Sequence, residues 1–224
     1  MGVSGEQRVS CNVNTKITPF SAKKRQGIVK AAHDLFLDQG YELTSMDDIA
    51  VRARVSKPTV YNHFRDKEAL FAEVVRTTTD DVEQLVSLVT RNLTDPEDFD
   101  SKLVELAREF LAALMQPQML KLRRMVIANA ERFPDVARLW YEQGFERVLR
   151  TLADCFQTLV ERSALRVDDP MMAAQHFVGL LLWIPINKAM FTGDHQSSRA
   201  MNDRYASAAV ETFVAAYSKR RKIK

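Results

Sequence analysis

Two helix-start signals twelve residues apart constrain this 224-residue chain more tightly than any other feature in it. Thr44-Ser45-Met46-Asp47 has the form of a capping box, with Thr44 able to cap the next helix and Asp47 to reach back. Ser56 is the second N-cap candidate, and Pro58 falls in the first turn that follows, where its missing N–H costs nothing. The intervening helix has room for two turns or so, with Met46, Ile49 and Ala50 as its apolar stripe. Segments 44–53 and 56–64, joined by a tight turn, have helix-turn-helix dimensions, and the second is placed to enter a DNA major groove.

Longer helices flank the pair. From Ser21, residues Ile28, Ala32, Leu35 and Phe36 recur at helical spacing as far as Gly40, a residue type suited to the left-handed position past a helix end. Asp66 caps a helix that Leu70, Val74, Val82, Leu85 and Val89 carry to about Asn92. After a break at Thr94-Asp95-Pro96, apolar stripes mark helices over 99–114 and 119–126, and a long one from Phe133-Pro134 through Leu159. Asp168-Asp169-Pro170 opens another that runs to about Phe191, and the last spans roughly Ser198 to Ser218. Only 7 Gly and 7 Pro supply turns, and no stretch alternates as a strand would, so the expected fold is all-α with about nine helices.

Charge is unevenly spread. Residues 1–30 carry six basic side chains and one acidic, residues 219–224 carry five basic and none acidic, and the total is +3, which leaves the middle at −7. A basic front on an acidic body suits contact with a polyanion through one end, although two solvated tails would look the same. Within 56–64, Val60 and Phe64 lie one turn apart and face inward, which leaves Lys57, Thr59, Tyr61, Asn62 and His63 on the other faces. These groups suit phosphates and base edges. Lys67 opens the following helix, where a cation opposes the macrodipole by about 0.3–1 kcal/mol, and a phosphate seated there would compensate it. Lys23, Lys24 and Arg25 repeat that pattern at the start of the first helix.

Other chemistries find little support. Cys11 and Cys155 are far apart, and the four histidines are scattered without metal-ligand spacing, a phosphate-cradling glycine loop or a nucleophile context, so neither catalysis, a metal nor a cofactor is expected. No apolar leader follows Met1, and the longest apolar run, Phe177 to Ile186, is about half the ~20 residues that span a bilayer, so the expected location is the cytoplasm.

Together, Ala32 with Leu35-Phe36, Gly40-Tyr41, Thr44 through Ala50, Val55 through Phe64 and Lys67 through Phe71 resemble the DNA-binding domain of the TetR family of bacterial regulators. The resemblance implies a homodimeric repressor of double-stranded operator DNA whose C-terminal helical domain binds a small effector. By position it implies DNA-facing roles for Thr44 and Ser45, for Lys57, Thr59, Tyr61, Asn62 and His63, and for Lys67; Lys24 and Arg25 join them on charge. The family usually has glycine in the inter-helix turn where this chain has Arg54, so either the turn is slightly adjusted, which is the favoured expectation, or Arg54 recoups the strain by reaching a phosphate. Residues 122–182 are similar to the C-terminal domains of AcrR-like members, often neighbours of efflux genes.

Such a domain would hold a cavity, and Met115, Met119, Met125, Trp140, Phe145 and Trp183 are candidates to line it, since thioethers and aromatics accept varied apolar ligands. The same stripes also read as ordinary core. Phe177, Leu180, Leu181 and Ile184 on one helix, with Ala206, Ala209, Val210, Phe213 and Tyr217 on the next, offer a four-helix dimer interface. The expected organisation is a disordered basic arm (1–17), a helix-turn-helix domain (18–66), an effector-binding and dimerisation domain (67–219) and a basic tail (220–224). A DNA-binding regulator controlled by a protein partner, with no small effector, is the alternative reading.

Overall fold

The computed structural model describes residues 19–78, 80–93, 98–193 and 199–219. The arm (1–17), the tail (220–224), Cys11 and the break at Thr94-Asp95-Pro96 lie outside these residues. Regular structure within them is helical throughout, apart from an isolated antiparallel bridge between Leu165 and Ser218. No described helix is long and apolar enough to cross a membrane.

Helix α1 (Pro19–Leu43) is broken at Gly40, whose φ of 86° and ψ of 167° lie in a region open essentially to glycine alone. The regular helix therefore ends at Gly40, as the sequence suggests, and one further short turn follows the kink. Helix α2 (Met46–Ala53) begins one residue later than expected. Ser45 is its N-cap: the Ser45 hydroxyl accepts the Asp48 N–H at 3.1 Å, and the Asp48 carboxylate accepts the Ser45 N–H at 3.0 Å. Thr44 is only 1 % exposed and donates its hydroxyl to the Gly40 carbonyl at 2.8 Å, which removes it from the capping position.

Helix α2 ends in a Schellman turn, with the Val55 N–H donating to Ala50 O at 3.0 Å and the Arg54 N–H to Val51 O at 3.1 Å. Arg54 sits in the left-handed slot of this turn at φ 55° and ψ 43°. The expected adjustment is therefore absent: the turn keeps the geometry glycine favours, and a side chain there costs about 1–2 kcal/mol. Arg54→Gly should raise the melting temperature by about 2–8 °C in a thermal unfolding measurement. An unchanged or lower midpoint would show that the turn is not strained.

Helix α3 (Lys57–His63) turns Val60 fully inward and leads to buried Phe64. The long helix expected to reach Asn92 is described as α4 (Lys67–Thr78) and α5 (Asp80–Asn92), on either side of Thr79. Asp66 caps α4 as expected, accepting the Ala69 N–H at 2.8 Å. Then come α6 (Phe99–Leu114), α7 (Pro117–Ala128), α8 (Pro134–Trp140), a π-helical stretch (Tyr141–Glu146), α9 (Arg147–Glu161), α10 (Pro170–Thr192) and α11 (Arg199–Tyr217). From α8 to α9 the chain is one continuous helical run, as the spacing of Val136 to Leu159 predicts, with Gly144 inside its widened turn.

Two apolar cores organise these helices. The first gathers Ile28, Phe36, Ile49, Val60, Leu70, Phe71 and Val74, and it also takes in Leu122, Met125 and Val126 from α7 and Phe133 and Val136 around the start of α8. A division at 66/67 thus leaves α4 and one face of α7 packed against the N-terminal helices. Phe36, Tyr41, Phe71 and Phe133 form the aromatic centre of this joint, with ring centroids 5.0–6.0 Å apart. The second core is built by α5, α6, α9, α10 and α11 around Phe110, Phe156, Phe177 and Phe213.

This second core corrects the interface read from sequence. Phe177, Leu181, Ala206, Ala209, Val210 and Phe213 are at most 4 % exposed inside one protomer, where they hold α10 and α11 against their neighbours. Tyr217 is half-buried, its hydroxyl 2.5 Å from His176 Nδ1. Leu180 and Ile184 do face outward. Helix α10 is apolar on nearly every side, so spacing alone could not say which stripe faces the protomer's own core.

Candidate nucleic-acid interface and cavity

Burying Val60 and Phe64 fixes the rotation of α3 and leaves Lys57, Tyr61 and Asn62 exposed, with Thr59 and His63 half-buried at the edges. Tyr61 is 46 % exposed, unusual for a ring with an apolar core beside it. Lys57 reaches back to α2, its ammonium 2.8 Å from Asp47, and that partner holds its pKa above the ordinary lysine value. Both members are more than half exposed, so the pair contributes little to stability and is readily exchanged for a phosphate. Ser45 is exposed at the start of α2, its hydroxyl engaged with Asp48.

Two basic residues expected to face DNA have internal work instead. The Lys67 ammonium donates to the carbonyls of Tyr41 (2.8 Å), Thr44 (2.9 Å) and Glu42 (3.3 Å) and lies over the Tyr41 ring at 4.3 Å. All three donors are taken. What offsets its unfavourable place at the start of α4 is the carbonyl-rich end of α1, where a cation is favoured, and no phosphate is required. Arg25 donates to Glu73 of α4 at 2.5 Å, and its guanidinium lies 5.0 Å from the centre of the Phe64 ring. It therefore ties α1 to α4 and steadies the residue that caps α3. Glu73 is buried and also accepts two bonds from Arg76 (2.7 and 2.9 Å), and these cations pull its carboxyl down to about 2. Thr44, buried as described above, likewise leaves no side chain at the surface. Sequence carried one signal for the Arg25–Glu73 pair: Glu73 is an acid on the apolar stripe of α4.

Deeper in the molecule, α5, α6, α7, the α8–α9 run and α10 surround an apolar cavity that is partly open to solvent. Met119, Trp140 and Phe145 line it as expected, joined by Val82, Phe110, Leu114, Leu149, Val178 and Leu182. Three expected members do not. Met125 lies in the first core, on the opposite face of α7, and Met115 is buried in the second core. Trp183 points out of the protomer and is 68 % exposed. Gly144 also lines the cavity, where the π-helical stretch opens the wall. Sequence reasoning missed Arg123, which joins this lining from α7.

Comparisons with known proteins agree with this geometry. Residues 28–74 match the family described as bacterial regulatory proteins, tetR family, and residues 101–219, more than half the chain, match the C-terminal domain of AefR-like transcriptional repressors. The chain belongs to the TetR family. Among solved structures, this TetR-family protein is similar to a TetR-family transcriptional regulator from Mesorhizobium loti MAFF303099, with 46 % identity, TM-score 0.86, and 90 % of this chain and 100 % of that one covered. It is also similar to the flavonoid-responsive regulator FrrA, with 31 % identity, TM-score 0.70, and 89 % and 100 % covered. The HTH-type transcriptional repressor Rv1474c of Mycobacterium tuberculosis is 26 % identical over 161 residues, 72 % of this chain and 79 % of the relative. As a member of this family the protein is a transcriptional regulator, and α2–α3 is its helix-turn-helix.

Proposed function

We propose that this regulator is a homodimeric repressor that occupies a two-fold operator through α3 and leaves it when a small, largely apolar molecule enters the cavity. The observation that carries the reading is the split of α3 into a fully buried Val60 and an exposed set of Lys57, Tyr61 and Asn62, a surface with donors and acceptors for nucleotides. Repression is supported by the AefR-like repressor domain and by the repressor from Mycobacterium tuberculosis. An effector is supported by the cavity and by the flavonoid-responsive relative. Helix α7 offers the mechanical link, because Met119 and Arg123 meet the cavity while Leu122, Met125 and Val126 lie in the core beneath the helix-turn-helix. A ligand acts only through its differential affinity for the two arrangements this link joins.

Titrating DNA from upstream of the protein's own gene at several salt concentrations tests the reading. A steep log–log slope is expected, and a flat response rejects it. Lys57→Ala should reduce the slope by about one, while Asp47→Asn, which removes the competing partner of Lys57, should tighten binding to all sequences alike. Asn62→Ala should change which sequence is preferred.

A further inference from the structure

The cavity wall contains one group that an apolar ligand would leave stranded. Arg123 projects from α7 among Met119, Trp140, Phe145 and Phe110. Its Nε is buried and has no hydrogen-bond partner among the described residues. Guanidinium does not escape such a site by losing its proton, so the charge persists although burial lowers its pKa. An unpaired buried charge is costly, and its planar fork of donors matches a carboxylate in two parallel bonds.

We propose that the effector is an amphipathic organic carboxylate, with its anionic group paired to Arg123 and its apolar body among the rings and aliphatic side chains of the cavity. The proposal rests on the effector reading above and narrows it from apolar molecules to apolar acids. It also gives the ligand a handle on the lever. Arg123 lies one residue from Leu122 and two from Met125, both set in the core beneath the helix-turn-helix, and Arg124 donates to Ala189 O of α10 at 3.1 Å. Drawing the guanidinium toward an anion therefore bears on a helix held on two sides, by the first core and by α10.

Two measurements test this on the full chain. Without ligand, Arg123→Met replaces the stranded charge by an unbranched apolar side chain, and the melting temperature should rise. A fall would mean that Arg123 already has a partner, and would overturn the proposal. With ligand, 4-phenylbutyrate, decanoate and 1-naphthoate are each titrated beside their neutral amides, by thermal shift and by release of the upstream DNA. Carboxylates should bind at least tenfold tighter than the matched amides, and Arg123→Met should abolish that preference by weakening the carboxylates far more than the amides. Equal binding of acid and amide, or a preference that survives in Arg123→Met, overturns the anionic reading and leaves a neutral effector standing. Binding by neither kind overturns both readings.

Discussion

The double variant Leu180→Asp/Trp183→Asp is expected to be monomeric and to lose operator affinity by at least a hundredfold. Leu180, Trp183, Ile184 and Phe191 form an outward stripe on α10, between 45 % and 87 % exposed in the single protomer. Gly179 stands beside it with open space around its Cβ position, and α11 presents Ala208 and Ala215 outward, so a second pair of helices can approach closely. Large apolar side chains exposed in a row mark a surface suited to a partner, and the proposed two-fold pairing would cover it with a copy of itself. Aspartates in that contact would each bury a charge without a partner. A dimer reads two half-sites at once, and losing the linkage forfeits an effective-concentration gain of about 10²–10⁴. Sedimentation and DNA titration read the two effects separately. A variant that stays dimeric would move the interface elsewhere, and a monomer with undiminished affinity would refute two-fold reading of the operator.

The second large effect concerns acid. Glu73 ionises in the folded protein at about 2, well below the ordinary range of a glutamate carboxyl. The first cause is the Arg76 side chain, reinforced by Arg25 and opposed by burial. Because the folded value lies below the unfolded one, the stabilisation is complete above about pH 4.5 and is lost as pH falls toward 2. A shift of this size corresponds to about 3 kcal/mol, and for a chain of this length to a melting temperature change on the order of 10 °C. Glu73→Gln should therefore melt lower than the parent at pH 7, and the two curves should converge as pH falls to about 2. Parallel curves would mean that the carboxylate is not paired in solution. The variant should also weaken DNA binding, since Arg25 loses the anchor that holds it over Phe64 at the end of α3.

Much of the N-terminal unit was legible because its signals are local. Ser56 with Pro58, Asp66, and the spacing of Val60 to Phe64 place helix starts and the inward face of α3 through interactions within a few residues. The one-residue error at Thr44 arose at a point where two adjacent hydroxyls could each cap, and burial against Gly40 chose between them. Arg54 shows a different limit. The pull of the Schellman hydrogen bonds and of Val55 against the core outweighs a backbone penalty that sequence alone suggested the turn would avoid.

The all-helical class, the helix-turn-helix and the exposed polar set on α3 follow from periodicity and capping, which act over one or two turns. What distant side chains do was set by the packing of the helices. It gave Lys67 to the end of α1, Arg25 to Glu73, Trp183 to the outside and Arg123 to the cavity, since each depends on which helix lies opposite. Apolar stripes on both sides of α7 and α10 satisfy the same spacing, and only packing selects which side meets the protomer's own core and which meets a ligand or a second subunit.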